Sequence, residues 1–183
     1  MSPNIFYITD RHGSLDKGLG VFLKDRTAKL SGLSLSEQFL AADFYDQLAA
    51  VRQHFDQIQN ESIPVIANSY GCYLLMNSLI GQPQLKTKVL MLSPVLGSSI
   101  NGNRAFMPAH RSRIPAALED GSLLKPDYLQ ILVGDMDTLC DMQQLQDFSA
   151  RLNVDQLTIA HGESHLIDKA VVQRVVDEFI LLD

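Results

Sequence analysis

The sequence predicts a single α/β domain: a three-layer sandwich of about six mostly parallel strands with helices on both faces. Three observations carry this. Short apolar, β-branched runs alternate with stretches of helical period along the 183 residues, the pattern of successive βαβ units. Runs such as Ile63–Ile66 and Val89–Leu92 are almost continuously apolar, as strands buried on both faces are. The polar residues able to do chemistry gather just after those runs, where a parallel sheet presents its site.

Taken in order, residues 4–9 read as a short buried strand, followed by the polar turn Asp10-Arg11-His12-Gly13-Ser14. Residues 15–29 carry a helical pattern weakened by Gly18 and Gly20, and 30–35 a candidate strand. From 41 to 58 the helical signal is strong, with Phe44, Leu48, Val51, Phe55 and Ile58 on one face. Residues 63–68 are a strand and 70–80 a helix stopped by Gly81-Gln82-Pro83. Residues 88–93 form the next strand. Residues 95–127, rich in Gly and Pro, read as an irregular flap over the site with one short helix at 115–119. A strand at 128–133, a helix at 141–152 capped by Asp141, a strand at 155–160 and a helix at 167–182 complete the domain, which spans 1–183.

The net charge of −6 argues against a nucleic-acid partner. The apolar run near the N-terminus, Ile5–Ile8, is too short for a signal peptide or membrane span, which points to a cytoplasmic protein. Cys72 and Cys140 form no metal-binding spacing and read as reduced, packed thiols.

The organising stretch is Ile63–Met76. Strand, turn and helix follow one another with no room for a loop, and Ser69 stands at the turn. Ala67 and Gly71, two positions either side, are small enough to let strand and helix approach. A nucleophile elbow needs this: a strained serine with φ > 0, raised at the end of a sheet over free helix N–H groups. The plainer reading is a helix-capping serine.

Beyond the later strands come Gly134-Asp135-Met136-Asp137 and His161-Gly162-Glu163-Ser164-His165. Serine, acid and histidine thus occur in that chain order, each just past a strand. A serine hydroxyl attacks only when an imidazole takes its proton, and the imidazole needs an acid to fix its tautomer. On these residues the chain resembles the α/β-hydrolase superfamily, specifically its small, single-domain members. Ala67-Asn68-Ser69-Tyr70-Gly71 is similar to the elbow, Gly134 to Asp137 to the acid loop, Ser164-His165 to the histidine loop, and His12-Gly13 to the oxyanion loop. Ala67 and Ser164 stand where the family has glycine.

The resemblance implies Ser69 as nucleophile, His165 as base and Asp137 as acid. It implies an oxyanion hole from the backbone N–H groups of Tyr70, Gly13 and Ser14. His161 competes with His165, and Asp135 and Asp141 compete with Asp137. His12, Arg104 and Arg111 are candidate substrate contacts; His12 reads alternatively as structural or exposed, and the arginines lie with His110 and Arg113 in a basic run that reads alternatively as a solvated flap. The reading is a serine esterase or thioesterase acting on a small acyl substrate. It needs no metal or organic cofactor, nucleic acid or membrane, and the sequence leaves its oligomeric state open. The rival is a hydrolase-fold binding protein that does not turn over.

Overall fold

The computed structural model describes residues 3–98, 108 and 110–182. Its sheet has six strands, all parallel: β1 (Asn4–Arg11), β2 (Lys29–Leu35), β3 (Val65–Asn68), β4 (Lys88–Leu92), β5 (Tyr128–Gly134) and β6 (Gln156–Ala160), in the spatial order β2-β1-β3-β4-β5-β6. The helices are α1 (Leu19–Lys24), α2 (Glu37–Leu40), α3 (Phe44–Arg52), α4 (Phe55–Asn60), α5 (Tyr70–Leu79), α6 (Arg113–Glu119), α7 (Met142–Leu152) and α8 (Lys169–Leu181).

The period-two geometry of the strands sorts their side chains into two cores. Phe6, Ile8, Val65, Ala67, Val89, Met91, Leu129, Ile131 and Val133 face α3, α4, α5 and α7. Ile5, Tyr7, Ile66, Leu90, Leu92 and Leu132 face α1 and α8, meeting Phe22, Leu23, Val175, Val176 and Phe179. The central strands therefore bury both faces, which is why they read as continuous apolar runs. Helix α5 is buried along its whole length, as a helix apolar on every side must be.

The single helix expected over 41–58 is two pieces, α3 and α4, with the short α2 just before them. Asp43 caps α3 by accepting from the Tyr45 N–H. The break at Gln53 and His54 bends the chain while Phe44, Leu48, Val51, Phe55 and Ile58 all stay buried. Hydrophobic spacing reported the buried face faithfully and was blind to the bend. The helix expected over 15–29 shrinks to α1, because residues 14–18 form turns, with Leu15 N–H donating to Ser34 Oγ at 3.1 Å. Helix α8 starts at Lys169, where Asp168 caps it through the Ala170 N–H.

Residues 99–107 and 109 of the expected flap, Arg104 among them, lie outside the described residues. Helix α6 packs on α5 and α7, with Ile114 and Ala117 in the core on that side.

Candidate active site

Strand β3 stops at Asn68 and α5 begins at Tyr70, so Ser69 alone makes the turn. Its backbone sits at φ 52, ψ −114, a region costing a non-glycine residue on the order of 1–3 kcal/mol. Hydrogen bonds on both sides hold it there. Ser69 N–H donates to the Leu92 carbonyl at 2.9 Å, while its own carbonyl accepts from the N–H groups of Cys72 at 3.0 Å and Val95 at 3.3 Å. Its side chain makes no cap to α5, against the capping reading. Gly71 is required by contact: a Cβ there would lie 2.6 Å from the Thr9 carbonyl oxygen and 2.7 Å from that of Ile8.

Beyond β5, Asp137 is fully buried. Its Oδ1 accepts from the N–H groups of Leu139 at 2.8 Å and Cys140 at 3.1 Å, which offsets the cost of burying a carboxylate. Its Oδ2 lies 2.8 Å from His165 Nδ1, and His165 Nε2 lies 2.8 Å from Ser69 Oγ. An ionised carboxylate only accepts, so Nδ1 donates and Nε2 is left to accept from the serine hydroxyl. The loops carrying acid and histidine are pressed together: a Cβ on Gly134 would lie 2.2 Å from the Glu163 carbonyl oxygen. Ser93 completes the support, its Oγ donating to the His165 carbonyl at 2.8 Å.

The competing residues have other partners. Asp135 Oδ2 lies 3.1 Å from His161 Nδ1 and its Oδ1 accepts from Gly162 N–H at 2.8 Å, a pair at the surface. The hydrogen bond with His161 holds the Asp135 carboxyl below its ordinary range. Asp141 caps α7, accepting from the N–H groups of Gln143 and Gln144. Cys72 is enclosed, and burial drives its thiol well above the ordinary range, away from the reactive thiolate.

Ser69 and His165 open on a cavity of about 290 Å³. Its wall is Leu19 and Phe22 of α1, Leu92, Ile167 and Val172 of α8, with Asp10, Asn68, Ser93, Lys169 and Gln173 as polar lining. It therefore lies on the α1–α8 side of the sheet.

Several of the candidate residues lie away from that cavity. Gly13 N–H is taken by the Asp10 carbonyl at 3.0 Å, and neither Gly13 nor Ser14 lines the cavity. The residue that β1 contributes to the lining is Asp10. His12 is exposed, its N–H held by the Leu35 carbonyl. Arg111 does not line the cavity either, since its segment runs over the opposite face of the sheet. There His110 stacks on Phe44 at 4.8 Å and Arg113 Nε donates to Asn77 Oδ1 at 3.2 Å. Tyr70 is the first residue of α5, so its N–H has no partner a turn earlier in the helix.

Asp10, Asn68 and Ser93 were not singled out as site residues from sequence. The signal was present, since each ends or directly follows a strand of the parallel sheet.

No protein-family model matches the chain, and no curated protein matches its sequence. Solved structures do. The monoacylglycerol lipase of Paleococcus ferrophilus superposes with a TM-score of 0.69 at 10% identity, covering 98% of this chain and 95% of that one. Est1E from Butyrivibrio proteoclasticus gives 0.67 at 16% identity, covering 98% and 87%. The ydeN gene product from B. subtilis gives 0.69 at 13% identity, covering 97% and 98%. The chain has the α/β-hydrolase fold. At such identities the likeness is one of fold. On this α/β-hydrolase sheet, Ser69, Asp137 and His165 follow β3, β5 and β6, the Ser-Asp-His chain order of that architecture.

Proposed function

We propose that the protein is a serine hydrolase that cleaves a carboxylic ester or thioester of a small acyl substrate through an acyl-enzyme. The observation that carries the reading is the unbroken chain Asp137–His165–Ser69, with both links at 2.8 Å. Ser69 Oγ attacks the substrate carbonyl and His165 Nε2 takes its proton. The new oxyanion forms beside the Tyr70 N–H at the positive end of α5. His165 then gives the proton to the leaving oxygen or sulfur as the carbonyl–heteroatom bond breaks. Water repeats the sequence on the acyl-enzyme, releasing acid and free Ser69. Asp137 stays ionised throughout, holding Nδ1 and stabilising the imidazolium.

The apolar cavity wall suits a hydrocarbon acyl chain, and its volume favours a short or medium one. That the structural neighbours include a lipase and an esterase agrees with this chemistry. The test is a screen of p-nitrophenyl esters and acyl thioesters over a range of acyl lengths, with wild type and Ser69→Ala in parallel. The reading expects wild-type turnover that peaks at one acyl length and disappears in Ser69→Ala. Labelling by a fluorophosphonate separates it from a binding protein on the same fold, which would remain unlabelled.

A further inference from the structure

Strand β1 is apolar from Ile5 to Ile8 and then turns polar at Thr9 and Asp10. It lies beside β3 in parallel register, with Ile8 opposite Ala67. Asp10 stands two residues beyond Ile8 on β1, and Ser69 directly follows the end of the neighbouring β3. Both line the same cavity. Asp10 is half-buried, and no lysine, arginine or histidine among the described residues forms an ion pair with it. Lys169 lines that cavity too.

This is an awkward place for a lone carboxylate. The serine hydrolase reading asks negative charge to develop on the substrate oxygen beside Ser69, and a neighbouring carboxylate opposes that. Burial pushes the Asp10 carboxyl above its usual range, partly countered by a hydrogen bond with its own backbone and, less, by His165 and His12. A positive charge supplied by the substrate would resolve both problems, pairing with Asp10 and relieving the repulsion as the oxyanion forms.

Resting on that reading, we infer that Asp10 is a specificity-determining residue that selects acyl substrates carrying a cationic nitrogen a few bonds from the scissile carbonyl. The apolar wall of Leu19, Phe22 and Val172 then holds the remainder of the molecule.

The test uses isosteric pairs that differ only in charge. One pair is choline butyrate and 3,3-dimethylbutyl butyrate. The other is p-nitrophenyl 4-(trimethylammonio)butyrate and p-nitrophenyl 5,5-dimethylhexanoate. Wild type should favour the cationic member of at least one pair by about 10- to 100-fold in kcat/KM, the range open to one charge-assisted contact. Asp10→Asn should slow the cationic ester and speed the neutral one. A merely structural role would slow both alike. Equal or reversed preference in wild type, or an unchanged ratio in Asp10→Asn, overturns the inference. If no ester is turned over, the hydrolase reading has failed by itself. Asp10 is then judged by calorimetric binding of choline butyrate and its neutral isostere to Ser69→Ala and to the Asp10→Asn, Ser69→Ala double variant. Tighter binding of the cation that depends on Asp10 upholds the inference, and equal binding rejects it.

Discussion

Ser93 Oγ donates a 2.8 Å hydrogen bond to the main-chain carbonyl of His165. Ser93 is itself held at φ 43, its N–H bonded to the Leu132 carbonyl at 2.8 Å. One serine thus ties the loop bearing the histidine to the centre of the sheet. Ser93→Ala should leave the fold intact and let the imidazole wander by a fraction of an ångström. We expect kcat to fall roughly 10- to 100-fold with little change in KM, as misplacement of a reacting group does. Steady-state kinetics on one ester checks this, and a rise in KM at constant kcat would speak against a positioning role.

The two acidic neighbours separate cleanly. Asp137→Asn keeps the shape but favours the wrong imidazole tautomer, so turnover should drop by about 10⁴-fold. Asp135→Asn affects only surface contacts, with His161 and the Gly162 N–H, and should be nearly silent. Assaying both variants on the same ester decides between them, and a damaging Asp135→Asn would move the acid to the wrong partner.

The elbow also makes a stability prediction. Gly71→Ala brings a Cβ to 2.6 Å from the Thr9 carbonyl oxygen and 2.7 Å from that of Ile8, backbone atoms of β1 that cannot rotate away. Overpacking of this kind costs about 1–3 kcal/mol, which lowers Tm by several degrees in a chain of this size. Gly81→Ala, where nothing lies within 4 Å, is the matched control for crowding, although its positive φ adds a smaller strain.

The two thiols give the pH dependence. Both are buried, and burial pushes Cys140 up to about 12 and Cys72 higher still, from an ordinary value of 9.0. The unfolded chain loses these protons first as pH rises, so their contribution is complete below about pH 9 and declines from there towards pH 12. Urea midpoints measured from pH 7 to 10.5 should fall only above pH 9, and less steeply when both cysteines are replaced by alanine. Native protein at pH 8 should leave a thiol reagent unreacted until urea is added.

Much of this was legible in the sequence, for identifiable reasons. The sheet could be read because strands buried on both faces leave uninterrupted apolar runs such as Val89–Leu92. The Ser69 turn could be read because sterics demand small residues at 67 and 71. Which acid and which histidine meet could not be read from composition, since Asp135, Asp137 and Asp141 are chemically alike and differ only in where the loop after β5 points them. The bend between α3 and α4 was hidden because it preserves the apolar face. The lining of the cavity was not legible because it depends on position along β1, which brings Asp10 to the site and which composition does not report.

The most direct test of the central claim is to find where the acyl or phosphonyl group goes. Wild-type protein is treated with a fluorophosphonate, digested and mapped by tandem mass spectrometry. The account predicts one adduct, on Ser69, that is absent in Ser69→Ala and forms far more slowly in His165→Ala. An adduct on another residue, or an unlabelled protein whose ester turnover survives Ser69→Ala, would contradict it.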